Sequence, residues 1–325
     1  MVRFGYTLMT EQSGPRELVE HAAAAERAGF DFAVMSDHYS PWLDEQGHSP
    51  YAWSVLGAVT QSTERMDLLS FVTAPIMRYH PAIVAQKAAT IGLLSNDRFT
   101  LGVGSGENLN EHVVGQDWPP VNVRHEKLSE ALHIMRSLLA GGYVNFTGDH
   151  YRVDSAKLWD LPDEQVPIAT AISGKQGIER FAPLSDAMIA VEPTAELCRS
   201  WDSATGGGTR KFGQQPICWD SDPDVAAKRA WSQFRWFSGG WKVNSELPGP
   251  AGFAAATQYV REEDVTAGIP CCREVEPIVD AVSSYWKAGF TDIALVQVGV
   301  DEDPDGFFGF AEEQLLPALR EAAGS

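Results

Sequence analysis

The feature that most constrains the fold of this chain is a series of short apolar runs, rich in β-forming residues, that alternate with helical patterns. Eight runs are predicted as strands, and they cover residues 4–8, 32–35, 68–73, 99–103, 168–172, 187–191, 215–219 and 293–298. Strands that alternate with helices form parallel βαβ units, so the pattern indicates the α/β class. Eight parallel strands also close a barrel, and we therefore expect a (β/α)8 TIM barrel.

The helical segments between these runs carry clear start signals. Pro15 opens a predicted helix over residues 16–28, and Pro81 opens another that runs to about Leu94. Proline is favoured at the first helical position, because the N–H that it lacks has no partner there. A third helix is predicted over residues 124–139, where apolar residues recur at spacings of three and four.

A recurring joint favours closure of the barrel. Gly29 and Phe30 stand between a predicted helix and the second strand, and Gly289 and Phe290 stand between another helix and the last strand. Glycine just after a helix, followed by an apolar residue that covers the last turn, is a common helix end. The same joint at both ends predicts a single barrel domain over residues 1–325, rather than an open sheet with a separate C-terminal domain.

Two regions interrupt the alternation. Residues 204–268 contain three consecutive glycines and an aromatic, basic run at 231–242, and we predict an insertion over the barrel mouth there. A smaller interruption at 143–161 has Gly148 and Asp149 between alternating runs, which is typical of a β-hairpin.

The charge of the chain excludes some classes of partner. With 25 Lys and Arg against 44 Asp and Glu, the formal net charge is −19. Such a balance argues against binding to nucleic acid or to an anionic membrane surface. It still permits a small anionic ligand, since backbone N–H groups can hold a phosphate. No apolar run approaches the roughly 18 residues of a membrane-spanning helix.

The cysteines and the first residues predict a cytoplasmic protein. None of the four cysteines has the C-x-x-C spacing of a zinc or redox site, and the N-terminal segment lacks the pattern of a signal peptide. Cys271 and Cys272 are adjacent, and we expect two ordinary thiols there rather than a vicinal disulfide. Free thiols are typical of a reducing compartment.

The first group of candidate catalytic residues follows the second predicted strand. Asp37, His38 and Trp42 stand close together there, and in a barrel the chemistry lies where strands end. An imidazole titrates near neutral pH, so His38 is a candidate general base. The alternative is a structural aspartate beside a hydrogen-bonded histidine.

The second group follows the fourth predicted strand. Gly102, Gly104 and Gly106 alternate there and let a ligand approach the backbone, and Glu107 and Asn110 follow. The alternative is a glycine turn that serves packing alone. The glycine spacing differs from the dinucleotide fingerprint, so we do not expect a nicotinamide cofactor.

A metal site is not expected. Acidic and histidine residues cluster between positions 37 and 48, but metal-dependent barrel hydrolases commonly place a His-x-His pair on the first strand. Here the first strand offers no ligand.

Three motifs together resemble one family. They are Asp37-His38-x-x-Pro41-Trp42, Arg78-Tyr79-x-Pro81-Ala82 with Gln86, and Leu101-Gly-Val-Gly-Ser-Gly-Glu-Asn-Leu-Asn-Glu111. The combination resembles the F420-dependent glucose-6-phosphate dehydrogenases of the luciferase-like barrel superfamily. The resemblance is dense from residue 3 to about 140 and fades in the last third.

The resemblance implies a luciferase-like (β/α)8 barrel, the deazaflavin coenzyme F420, a small-molecule substrate and a homodimer. It implies that His38 would remove the hydroxyl proton as hydride leaves the same carbon, and that Trp42 would steady the reacting group. Glu107 would supply a proton to the reduced ring, with Glu11 nearby. The cofactor contacts that it implies are Asp37, Val72, Gly106, Asn110 and, on the phosphate side, Ser173 and Gly174. The Phe71-Val72 bond aligns with a non-proline cis peptide.

One departure from the family concerns the substrate. Lysine and arginine side chains hold the sugar phosphate in the family, but the corresponding segments 191–194, 252–256 and 266–269 contain no cation. The predicted insertion instead offers Trp236, Arg235 and Lys242 as candidate substrate contacts, with Arg210 and Lys211 upstream. Two alternative functions remain open: an FMN-dependent luciferase-like monooxygenase, and a barrel that binds a ligand without catalysis.

Overall fold

Eight parallel strands close into a barrel in the computed structural model, which describes residues 1–324. The strands are β1 Arg3–Leu8, β2 Phe32–Met35, β3 Asp67–Ser70, β4 Phe99–Val103, β5 Val144–Thr147, β6 Arg152–Ala156, β7 Ile168–Ala171, β8 Ala187–Ile189, β9 Arg210–Trp219, β10 Cys271–Cys272 and β11 Asp292–Gln297. The barrel order is β1-β2-β3-β4-β7-β8-β9-β11, and β11 pairs with β1 to close the ring. The predicted barrel is confirmed.

Helices follow the barrel strands and pack around the ring. They are α1 Pro15–Ala28, α2 Ala52–Ser62, α3 Pro81–Leu94, α4 Asn108–Glu111, α5 Val121–Leu139, α6 Lys175–Phe181, α7 Ala195–Thr205, α8 Pro223–Phe234, α9 Trp241–Asn244, α10 Pro250–Ala256, α11 Glu262–Thr266, α12 Glu276–Ala288, α13 Pro304–Phe310 and α14 Leu316–Ala323. The three helices predicted from sequence are present, and α5 begins three residues earlier than predicted. Among the described residues, no helix is both long enough and apolar enough to cross a membrane.

The predicted helix-to-strand joints are present at both ends of the barrel. Gly29 and Gly289 follow α1 and α12 with φ values of 96° and 106°, a left-handed conformation that glycine adopts without a steric penalty. The next residues, Phe30 and Phe290, are buried at 4% and 2% exposure. Each phenylalanine therefore seals the end of its helix against the core, as the sequence pattern predicts.

Two barrel strands differ from their predicted extents by three residues or more. β9 begins at Arg210, five residues before the predicted start, because ion pairs stabilise its charged end: Arg210 lies 2.6 Å from Asp292 and Lys211 lies 2.7 Å from Asp202. The third strand ends at Ser70 rather than at residue 73, and the Phe71-Val72 peptide bond that follows is cis, as the family resemblance implies.

The segment between β9 and β11 covers part of the barrel mouth. Within residues 204–268, β9 and α8 continue the barrel repeat, and the remainder forms a 3₁₀ turn at Arg235–Gly239 followed by α9, α10 and α11. Trp236 and Phe253 from this remainder pack in one apolar cluster with Trp42 and Leu109. We call residues 235–268 the covering segment. The hairpin predicted at 143–161 is present as the antiparallel pair β5–β6.

The interior of the barrel leaves no room for a side chain at Gly102. A Cβ added there would lie 1.8 Å from the backbone oxygen of Ser70 on the neighbouring strand. By contrast, a Cβ added at Gly57 on α2 would meet no atom within 4 Å. The same glycine-to-alanine change can therefore be compared at a crowded position, Gly102, and at an open one, Gly57.

We expect Gly102→Ala to lower the free energy of unfolding by about 3 kcal/mol or more, because backbone atoms of two paired strands must move apart. Gly57→Ala is expected to raise it by about 0.5–1 kcal/mol, since alanine favours the helix and restricts the unfolded chain. Urea unfolding of both variants measures the difference. Equal stabilities of the two variants would contradict the close approach of β3 and β4.

Candidate active site

His38 lies at the mouth of the barrel, directly after β2, with 10% of its side chain exposed. Its Nδ1 atom is 3.2 Å from the carbonyl oxygen of Ser40. A carbonyl only accepts hydrogen bonds, so this contact places the ring hydrogen on Nδ1 and leaves the lone pair on Nε2. Nε2 lies 3.6 Å from Oε2 of Glu107. The imidazole can therefore act as a base on the side that faces Glu107.

Glu107 reaches the mouth from the loop after β4, and 14% of its side chain is exposed. Burial raises the pKa of Glu107 to about 7, and the nearby carboxylates of Glu11 and Glu111 add to this shift against the opposing charge of His38. Asn110 donates a hydrogen bond from Nδ2 to its Oε2 at 3.3 Å. A carboxyl with such a pKa can hold or release a proton near neutral pH.

Glu11, which follows β1, is 1% exposed and is well supplied with donors. Its oxygens accept hydrogen bonds from Trp42 Nε1 at 3.1 Å, from Thr10 Oγ1 at 3.1 Å and from Ser36 Oγ. Its Oε1 also lies 3.3 Å from Nδ1 of His38. These contacts fix Trp42 and His38 relative to each other, and the two rings lie 5.0 Å apart.

Asp37 is 3% exposed and lies beneath the mouth. Its carboxylate accepts four hydrogen bonds, from Trp53 Nε1, Thr73 Oγ1, Arg78 Nη2 and Tyr79 Oη. The side chain is therefore held by protein donors from several segments, and its direct contact with a cofactor stays a prediction.

A charged network next to Asp37 was not predicted from the sequence. The backbone N–H of Arg78 donates to Glu111 at 2.8 Å, and the guanidinium of Arg78 lies 3.5 Å from the same carboxylate. Burial raises the pKa of Glu111 to about 7, although Arg78 opposes the shift. Both residues belong to motifs that carry the family resemblance, but no local spacing pairs two side chains 33 positions apart.

Asn110 joins two loops of the mouth. Its Oδ1 accepts hydrogen bonds from the backbone N–H groups of Tyr39 at 2.8 Å and Ser40 at 3.3 Å, and its Nδ2 donates to Glu107. The amide thus links the loop that carries His38 to the loop that carries Glu107.

The predicted cofactor contacts Val72, Gly106, Ser173 and Gly174 follow β3, β4 and β7 at the same end of the barrel. Gly106 has a φ of 74°, and a Cβ added there would crowd Ala74 at 3.1 Å. Ser173 is exposed and Gly174 is partly exposed just before α6.

The predicted substrate contacts lie in the covering segment and differ in setting. Trp236 stacks on Trp42, with ring centroids 4.1 Å apart and an interplanar angle of 6°. Arg235 is 7% exposed, and it donates to Glu45 at 2.7 Å and to the carbonyl of Ser232. Lys242 is exposed on α9.

The two upstream cations do not reach the mouth. Arg210 and Lys211 lie at the amino end of β9, opposite the strand ends that carry His38 and Glu107, and both form ion pairs there.

The covering segment is attached to the β4 loop by Glu246. Its carboxylate accepts hydrogen bonds from Trp118 Nε1 at 3.0 Å and Arg124 Nη2 at 2.9 Å. Its carbonyl accepts one from Asn108 Nδ2 at 3.0 Å. Asn108 is the neighbour of Glu107 in the chain, so the covering segment also supports the candidate acid.

The mouth carries the acid–base groups that chemistry beside a hydride-accepting ring requires. A base and a carboxyl with a raised pKa lie 3.6 Å apart, on the loops after two different strands. Gly104 lets the side chain of Val72 lie close to the β4 backbone, since a Cβ at Gly104 would be 2.8 Å from it. His38 and Glu107 are therefore suited to transfer protons beside a bound ring.

The raised pKa of Glu107 predicts a pH dependence of stability. A carboxyl with a higher pKa in the folded than in the unfolded chain binds more protons when folded, so the free energy of unfolding falls as pH rises from about 4.5 to about 7. At about pH 8 we expect Glu107→Gln to be more stable than the wild type by about 1–3 kcal/mol, and near pH 4 we expect little difference.

Urea unfolding at the two pH values measures this effect. The exposed carboxyl of Glu313 provides the control, since Glu313→Gln is expected to have the same free energy of unfolding as the wild type at both pH values. A stability difference for Glu107→Gln that does not change with pH would contradict the raised pKa.

Comparisons with known proteins identify the family of this chain. The family model for luciferase-like monooxygenases matches residues 1–283. The F420-dependent glucose-6-phosphate dehydrogenase of Intrasporangium calvum is 44% identical over 338 residues, covering 98% of this chain and 99% of the relative. The one from Mycolicibacterium gilvum is 36% identical, with 98% of each chain covered.

Among solved structures, an F420-dependent secondary alcohol dehydrogenase in complex with an F420-acetone adduct matches with a TM-score of 0.87 and 26% identity, covering 98% of this chain and 99% of that one. The F420-dependent tetrahydromethanopterin reductase of Methanopyrus kandleri, at 18% identity and a TM-score of 0.77, shares the fold. The chain belongs to the luciferase-like family and, within it, to the F420-dependent glucose-6-phosphate dehydrogenase group.

Proposed function

We propose that this protein is a dehydrogenase that uses coenzyme F420 and oxidises a carbon that bears a hydroxyl group. The observation that carries the proposal is the pair formed by His38 Nε2 and Glu107 Oε2, which are 3.6 Å apart at the barrel mouth. Relatives named as F420-dependent dehydrogenases support the cofactor and the reaction class. The FMN-dependent monooxygenase has weaker support, because the full-length relatives are named for F420.

His38 is the proposed base. When bound, F420 supplies a deazaflavin ring that accepts a hydride, so the protein must orient the substrate and move protons. The carbonyl of Ser40 keeps the ring hydrogen on Nδ1, and Nε2 can take the proton of the substrate hydroxyl. Glu11 lies 3.3 Å from Nδ1 and stabilises the positive charge that this step creates.

Glu107 is the proposed acid. Its pKa of about 7 keeps a large fraction of the side chain protonated at neutral pH, so it can donate a proton toward the reduced ring. Trp42, fixed by its hydrogen bond to Glu11, steadies the reacting group.

The cofactor is proposed to lie along the ends of β2, β3, β4 and β7. Val72, Gly106 and Asn110 would hold the ring side, and the backbone at Ser173 and Gly174 would hold the phosphate. Asp37 acts beneath them, where its four hydrogen bonds fix the start of the His38 loop.

The proposed substrate is a neutral alcohol that packs against Trp42 and Trp236, at the edge of their stacked pair. Of the candidate cations, Arg235 is neutralised by Glu45, and Lys242 is exposed on α9. The loop after β8 presents Glu192 rather than a cation, which disfavours a phosphate there. A sugar phosphate is the second candidate, because relatives that match over nearly the full chain, at up to 44% identity, are named for glucose 6-phosphate.

We also propose that the protein is a cytoplasmic homodimer. Its four cysteines are free, as in proteins of a reducing compartment. Helix α3 exposes Ile83, Leu93 and Leu94 at 42–49%, which suits a face that a second copy covers. The mass in solution, measured by light scattering, tests the dimer.

Removal of the proposed base should affect turnover and leave the cofactor bound. We expect His38→Ala to lower kcat by roughly 10²–10⁴, the usual effect of losing general base catalysis. The Kd for F420, measured by quenching of its fluorescence, should change little. His133→Ala, at an exposed histidine of α5, is the control and should retain full activity.

Two outcomes would count against the proposal. If His38→Ala keeps its rate within about threefold of the wild type, the histidine has a structural role. If the protein binds FMN or NADP tightly but not F420, the cofactor assignment is wrong.

A comparison of phosphorylated and neutral substrates tests the proposal that the substrate is a neutral alcohol. We expect kcat/KM for glucose 6-phosphate to exceed that for glucose by less than about tenfold, or 1.4 kcal/mol, and a neutral secondary alcohol to be oxidised. Arg235→Ala is expected to act through the lost ion pair with Glu45, reducing stability without changing the preference. A preference above about tenfold that disappears in Lys242→Ala would instead identify a phosphate pocket.

A further inference from the structure

Two cysteines lie opposite each other where the chain returns from the covering segment to the barrel. β10, which follows α11, pairs in parallel with the end of β9, and Cys271 is the register partner of Cys218. Neighbouring strands of a sheet lie about 4.8 Å apart. A disulfide needs Cα atoms about 4.4–6.8 Å apart, so these two cysteines can be joined with little movement of the backbone.

The side chains of Cys218 and Cys271 share one face of this strand pair. Cys218 belongs to the apolar cluster beneath the covering segment, and Cys271 packs against the same cluster. Successive residues of a strand point to opposite faces, so Cys272 points away from them. Its thiol donates instead to the carbonyl oxygen of Glu274 at 3.4 Å. The partner of Cys271 is therefore Cys218 and not its neighbour in the chain.

The two thiols differ in access and in acidity. Cys271 is partly exposed, whereas Cys218 is fully buried. A hydrogen bond from Cys218 lowers the pKa of Cys271, and burial opposes this shift. The same hydrogen bond, together with burial, raises the pKa of Cys218. The thiolate is the nucleophilic form of cysteine, so Cys271 is the thiol that reacts first with an oxidant from solution.

An arginine beside the buried thiol supports the second step of such a reaction. The Nη2 atom of Arg229 donates to Asp220 at 2.6 Å and to Glu302 at 2.7 Å. Its Nε atom is buried and has no hydrogen-bond partner within residues 1–324. The positive charge of Arg229 favours the thiolate of Cys218, against the burial that disfavours it. Cys218 can therefore give up its proton when it attacks an oxidised partner.

We propose that Cys271 and Cys218 form a modification site that a hydroperoxide converts to a disulfide. The thiolate of Cys271 attacks the terminal peroxide oxygen and the O–O bond breaks, which gives a sulfenic acid. The leaving oxygen takes up the proton that the thiol released. The sulfur of Cys218 then attacks the sulfenic sulfur, the S–S bond forms, and hydroxide leaves with the proton of Cys218 as water. Together the two thiols lose two electrons and two protons to one peroxide.

The disulfide would close the chain between residues 218 and 271, which contains the whole covering segment. A cross-link restricts the freedom that such a segment gains when it opens, so it opposes local unfolding of the segment. Neither step uses F420, His38 or Glu107. The inference therefore goes beyond the proposed function, and each can fail without the other.

Oxidation of the reduced protein with hydrogen peroxide tests the site. Thiols are counted in denaturant, and the new bond is located by mass spectrometry of an unreduced digest. We expect the wild type to lose two of its four thiols and to yield linked peptides that contain Cys218 and Cys271. In Cys218→Ala we expect the sulfenic acid of Cys271 to persist and to be captured by dimedone. Cys272→Ser is the matched control and should form the same disulfide as the wild type.

Trypsin cleavage after Arg261, an exposed residue of the covering segment, measures the effect of the disulfide. On reducing gels, we expect the half-life of this bond to rise at least about fivefold when the wild type is oxidised, and to stay unchanged in Cys271→Ser. Several outcomes would overturn the inference: no loss of thiols in the wild type, a disulfide between Cys271 and Cys272, the same loss in Cys271→Ser, or equal cleavage of the oxidised and reduced wild type.

Discussion

The carboxylate of Asp37 is the interaction on which the arrangement of the mouth depends. Its two oxygens collect hydrogen bonds from Trp53 on α2, from Thr73 after β3, and from Arg78 and Tyr79 before α3. A buried charge without such partners is costly, so the three segments must meet at this point for the fold to be stable. The residue that follows Asp37 is the candidate base, which therefore starts from a fixed backbone position.

Glu11 and Glu107 at the mouth are identical chemical groups, and their different surroundings suit them to different roles. Glu11 accepts hydrogen bonds from an indole and two hydroxyl groups, which hold its side chain in place. Glu107 accepts one long bond from Asn110, and burial raises its pKa to about 7. One carboxylate thus organises Trp42 and His38, and the other is suited to exchange a proton. Carboxyl groups in one site with such different environments are a common basis for assigning acid and base.

Sequence patterns predicted the parts of this structure that depend on neighbours along the chain. The strand and helix periodicity, the glycine joints at Gly29 and Gly289, and the grouping of candidate residues after strands all arise locally. The contacts that patterns did not predict join distant positions. Arg235 was a candidate for binding an anion, but it pairs with Glu45, which lies 190 residues away. The early start of β9 at Arg210 likewise depends on Asp292, because charged residues at a strand end need partners that spacing does not identify.

The attachment of Glu246 to the β4 loop has a consequence for how this molecule can change. The candidate catalytic residues come from the first half of the barrel, after β1, β2 and β4, whereas the candidate substrate contacts come from the covering segment after β9. The two parts meet through the apolar cluster that includes the stacked pair Trp42 and Trp236, and through the hydrogen bonds of Glu246 to Trp118, Arg124 and Asn108. Substitutions within the covering segment can therefore alter which substrate fits without changing the candidate catalytic residues, provided that the contacts between the two parts are kept. Sequence similarity in the first half of such a chain is then informative about the type of reaction and much less informative about the substrate.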